Sequence, residues 1–100
     1  MISVSAANSK ASRLNGCATD LRGVKSNLNT YKSNLNQAWQ GQEMTWINSA
    51  LDELIRELEQ CASDADAIAS DIRRAAQEIR AEEEAAKRAA EAARLAALGI

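Results

Sequence analysis

The stretch Ala38-Trp39-Gln40-Gly41-Gln42-Glu43-Met44-Thr45-Trp46, AWQGQEMTW, holds both tryptophans and one of the 4 glycines of a 100-residue chain that has no proline. On either side of it, apolar residues recur at alternating steps of three and four. Upstream the series is Leu14, Cys17, Leu21, Val24, Leu28, Tyr31, Leu35 and Ala38. Downstream it resumes as Met44, Ile47, Leu51, Leu54, Leu58, Cys61, Ala65, Ile68, Ile72, Ala75 and Ile79. Such alternation lines up one stripe of an α-helix, and no period of two competes with it. Gly41 is the strongest stop signal between the two runs, because a helix commonly ends on a left-handed residue and glycine adopts that conformation without steric cost. Glu43 then falls in the first turn of the next helix, where the dipole favours a negative charge. The stretch therefore predicts the corner of an all-α antiparallel hairpin, with helices over about 5–39 and about 43–83 and a turn at about 40–42. Ser3 or Ser5 can cap the start of the first helix through a side-chain oxygen.

The stripes carry more than a hairpin needs. Ile55, Ala62, Ala69 and Ala76 flank the second series, so the apolar face there is wide enough for more than one neighbour. The composition is 46% hydrophobic but only 3% aromatic, and much of the hydrophobic share is alanine, which buries little area. A monomer would have a thin core. Both features point to a second chain and a four-helix bundle.

Pairing Leu35 with Ile47 across the corner sets Tyr31 opposite Leu51, Leu28 opposite Leu54, Val24 opposite Leu58, Leu21 opposite Cys61 and Cys17 opposite Ala65. The two cysteines, read as small buried apolar side chains, then sit roughly 10 Å apart at Cα, too far for a disulfide. Charge favours the same antiparallel arrangement. Residues 1–41 carry five basic and one acidic side chain, whereas residues 42–79 carry nine acidic and three basic.

Beyond the hairpin (1–83), residues 84–100 are of another kind. They are rich in alanine and balanced in charge, with Glu83–Lys87 and Glu84–Arg88 spaced for ion pairs along a helix. They predict a helical extension that the first helix starts too late to cover, fraying toward Gly99.

Several function classes have no footing. There is no histidine, so neither a general base of that kind nor a zinc site with two isolated cysteines can be assembled. No glycine-rich phosphate loop occurs. Glu82, Glu83 and Glu84 point in different directions on a helix and read as a solvated face rather than a cation site. No catalytic residue, cofactor or metal is expected. A net charge of −2 gives no case for nucleic acid, and no apolar run is long enough for stable membrane insertion. MISVSAANSKASRLNG has neither the basic start nor the long apolar run of a cleaved signal peptide. Trp39 and Trp46 are the candidates for recognition. Either residue can plug the hairpin end, but tryptophan is also strongly enriched among interface anchors, and Trp39 sits at the rim beside the turn.

A helical hairpin of about this length with Trp39-Gln40-Gly41 at its corner resembles the WXG family (hundred-residue, ESAT-like) of type VII (ESX) secretion substrates and toxin-partner proteins. The likeness in architecture spans roughly residues 5–83, while the specific motif is a tripeptide. The resemblance implies a non-enzymatic protein that forms homo- or heterodimeric four-helix bundles. It implies export in folded form by a membrane machine driven by the type VII secretion ATPase, so that the protein is cytoplasmic first and then secreted without a cleaved signal. It also implies an export motif, Tyr or Phe-x-x-x-Asp/Glu, near the partner's Trp-x-Gly turn. Here the nearest form is Ile79-x-x-x-Glu83, which lacks the aromatic; the only tyrosine is Tyr31, in the first helix. That departure suits a chain whose partner supplies the complete signal, such as a related helical protein or a toxin with an LXG-type domain. The alternative expectation is a cytoplasmic coiled-coil adaptor or scaffold in which Trp-x-Gly is only a stop.

Overall fold

The computed structural model describes residues 2–99, which form two helices, α1 (Val4–Ala38) and α2 (Glu43–Ala97). They fold back on each other as an antiparallel hairpin, and the whole is a rod of 88 × 17 × 11 Å. Ser3 takes the N-cap of α1, its Oγ accepting from the Ala6 amide at 3.1 Å. α2 keeps helical geometry well past the end of α1. Residues 84–97 project roughly 20 Å beyond the hairpin at 1.5 Å per residue, every side chain exposed. Alanine and long charged residues sustain such a helix by local propensity. Two expected pairings there are replaced: Glu84 takes Arg80, 3.1 Å away, and Glu83 turns to the start of α1.

The contact between the helices uses a different part of each stripe from the one the three-four alternation suggests. In α1, Leu14, Leu21, Leu28 and Leu35 are half-buried, and the row beside them is buried at Val4, Ala11 and Ala18. In α2, Met44 is buried and Leu51, Leu58, Ala65 and Ile72 are half-buried, with Ala62, Ala69 and Ala76 fully covered beside them. The seam is therefore a leucine row and an alanine row on α1 against a mixed aliphatic row and an alanine row on α2. Alanine at these positions lets the backbones come close, and a larger side chain would hold them apart. Among the described residues no large side chain is fully buried, so the core is thin.

The outer rows of the stripes are left out of this contact, which corrects the predicted intrachain seam at Val24, Tyr31, Leu54 and Ile68. Tyr31 is 56% exposed and Ile68 50% exposed, and Val24 and Leu54 are little better covered. Ile47 in the same outer row of α2 is half-buried. Cys17 and Cys61 share these rows, and both are free and exposed rather than buried.

Polar pairs fix the register along the other side of the seam. Asn36 and Asn48 exchange amide hydrogen bonds of 2.7 and 2.8 Å near the turn. Lys32 pairs with Asp52, Lys25 with Glu59, and Arg22 with both Glu59 and Asp66. Each of Asn36, Lys32 and Lys25 meets α2 two residues further along than the pairing of Leu35 with Ile47 predicts. Hydrogen bonds from Arg22 and Asn15 hold the Asp66 carboxyl below its ordinary value of 3.8. Their contribution is thus complete above that pH and lost as pH falls through the lowered native value.

Gly16 and Gly23 lie on the side of α1 away from α2, in helical backbone with nothing within 4 Å of an added Cβ. Gly16→Ala and Gly23→Ala should each stabilise the hairpin by about 1 kcal/mol, seen as a rise of about 4–8 °C in the circular-dichroism melt. An unchanged midpoint would mean that α1 is held by packing alone.

Candidate functional site

The corner is built without a left-handed residue. α1 ends because Trp39 turns extended (φ −137°, ψ 128°), its amide still donating to the Leu35 carbonyl at 2.9 Å. α2 then starts with the amides of Met44 and Thr45 donating to the Gly41 and Gln42 carbonyls, both at 3.1 Å. Gly41 does not have positive φ; among the described residues only Gly99 does, at 77°, just past the end of α2. This corrects the predicted role of Gly41. Its missing side chain matters for space: a Cβ there would come within 2.5 Å of Glu43 Oε2 and 2.8 Å of Trp39 Nε1. The carboxylate could swing away, but the indole is a rigid ring next in the chain but one. Tryptophan and glycine of the motif are thus linked by contact, with the indole lying over the bare backbone of the turn.

Trp39 is 51% exposed on that perch and Trp46 is 78% exposed. Trp46 belongs to the heptad row of α2 directly opposite the α1 contact, and with Gln42, Glu43 and Thr45 it lines a shallow open depression. Both tryptophans are therefore available at the turn end, Trp39 over the corner and Trp46 on the outer side of α2.

Ile79 and Glu83 lie at the opposite end of the hairpin. Ile79 is exposed; Glu83 is half-buried, and its carboxylate accepts from the Ile2 amide at 2.9 and 3.1 Å. The carboxylate thereby ties the segment that leads into α1 to α2, at the end of α1 where its dipole is positive. Nothing in the spacing of the sequence signals this clamp, because it joins residues 81 positions apart.

The outer rows form the second candidate surface. Viewed along the hairpin, the heptad rows Cys17, Val24, Tyr31 of α1 and Leu54, Cys61, Ile68 of α2 lie about a quarter-turn from the contact, on the same side. The ion pairs and the Asn36–Asn48 bridge occupy the other side. The molecule is thus two-faced, with one long side laced by polar bonds and the other presenting an uncovered apolar strip along the seam.

Among the described residues no helix is long and apolar enough to cross a membrane, and no group of acidic residues and cysteines is arranged to hold a metal ion. A family model described as proteins of 100 residues with WXG matches residues 1–84. The chain belongs to the WXG100 family. Members of that family are non-enzymatic secretion substrates, and the chain is a small protein associated with type VII secretion. The match covers the whole hairpin, including Trp39-Gln40-Gly41 at the corner, and stops where α2 leaves α1 behind. No curated protein and no solved structure matches the chain.

Proposed function

We propose that this WXG100 protein is an export substrate or targeting partner of a type VII system, and that it works as half of a four-helix bundle. The observation that carries the reading is the uncovered strip of Val24, Tyr31, Leu54 and Ile68, continuous along a hairpin whose own core is thin. Apolar rows at heptad spacing on both helices match what a second helical hairpin would cover. The mate is a related helical protein, a second copy or an LXG-type toxin domain. Together the two chains present a recognition surface to the secretion ATPase. Trp39 and Trp46 supply the exposed aromatic groups at the turn, and Ile79 and Glu83 the hydrophobic-then-acid pair at the far end. Because Ile79 stands where the family pattern has an aromatic residue, the partner carries the complete signal. The protein has no catalytic role; it is made in the cytoplasm and leaves without a cleaved signal peptide.

The test is export of Trp39→Ala from cells with and without the secretion ATPase. The wild-type protein should reach the culture supernatant only when the ATPase is present. Trp39→Ala should stay inside with its helix content kept, because a half-exposed indole contributes little to the hairpin. Wild-type protein confined to the cytoplasm in both strains, with assembly altered by Trp39→Ala, would instead favour an adaptor or scaffold.

A further inference from the structure

The two borders of the uncovered strip differ in charge. On α2 the next row outward is Glu57, Asp64, Asp71 and Glu78, one exposed acid per heptad. Among the described residues only Asp71 of these has an ion-pair partner, Arg74 on the same helix at 2.7 Å. The matching row on α1 is Ala6, Arg13, Asp20, Asn27 and Asn34, which carries no net charge. Arg22, Lys25 and Lys32 of α1 lie on the far side of the hairpin, already engaged by Asp66, Glu59 and Asp52.

A helix laid along the strip meets the acidic row with its own flanking positions, the relation that selects partners in coiled coils. A second copy can cover the strip in two ways. Stacked end for end, it sets α2 on the α2 of its mate, acid row against acid row. Stacked in the same direction, it sets α2 on the α1 of its mate, whose Lys10 and Arg13, one turn apart, reach only the Asp71 and Glu78 end of the row, while Asp20 adds a like charge further along. Neither arrangement neutralises the whole acidic row, and the first opposes like charges along its length. We infer that the strip is covered by a different helical protein, one whose facing helix bears lysine or arginine at heptad spacing along its edge. This rests on the strip being an interface, as proposed above, and specifies the charge of its partner.

A charge-reversed full-length copy, E57K/D64K/D71K/E78K, stands in for a basic-edged partner with the same apolar strip. All four positions are exposed and lysine is a good helix former, so the copy should fold, which circular dichroism verifies. In sedimentation velocity at low salt, an equimolar mixture should give a one-to-one heterodimer at least about tenfold tighter than wild type with itself, weakening as salt rises. A neutralised copy, E57Q/D64N/D71N/E78Q, should self-associate more tightly than wild type. Wild-type self-association as tight as the mixture and indifferent to salt would overturn the inference while leaving the strip an interface. No association in any combination would overturn both.

Discussion

Ala62→Leu should destabilise the hairpin by about 1–3 kcal/mol, the usual cost of forcing extra methylenes into a packed seam. Ala62 is 0% exposed, and it sits between Glu59 and Asp66, one turn away on either side. Those two carboxylates hold Lys25 and Arg22 at 3.4 and 2.7 Å. An isobutyl group at this fully covered point must push α1 outward and stretch the pairs that bracket it. In most proteins a buried leucine adds stability; here the geometry of close approach reverses the sign. Ala67→Leu is the control, on the same helix but exposed, and should be nearly neutral. Melts followed by circular dichroism should show a drop of about 4–24 °C for Ala62→Leu. A melting point at or above wild type would mean that the alanine rows are not where the helices touch.

Replacing Leu54 and Ile68 together by glutamine should have the opposite signature: a near-normal monomer and a failed assembly. Both side chains are about half exposed in the hairpin, so their removal costs the monomer little, and glutamine preserves helix propensity. In a completed bundle both would be buried, and losing them forfeits about 3 kcal/mol, more than a hundredfold in affinity. Sedimentation of the double variant, alone and mixed with the charge-reversed copy, measures that loss. Lys32→Gln, on the ion-paired side, should leave assembly unchanged. Equal association of the glutamine variant and the wild type would show that the strip is not the contact.

The two helices, their order and the corner between them were legible in the residues. Heptad alternation is a local signal: each apolar side chain needs only its neighbours three and four places away to define a stripe, and glycine beside tryptophan interrupts it. The tripeptide at the corner carried the family, and the model matching residues 1–84 showed it. The way the first helix ends was not legible, because the stop is made by extended backbone at Trp39, and Gly41 is required for space, its missing Cβ leaving room for the indole and the Glu43 carboxylate. Nor was the clamp of Glu83 on the Ile2 amide, which exists only once distant segments are side by side.

By itself the sequence determined two apolar rows on α1 and three on α2, more than one contact can use. Which two rows face inward was decided only in the folded pair. Helices approach most closely where side chains are smallest, so Ala11 and Ala18 turned toward Ala62, Ala69 and Ala76. That rotation carried Val24, Tyr31, Leu54 and Ile68 to one open side and the charged pairs to the other.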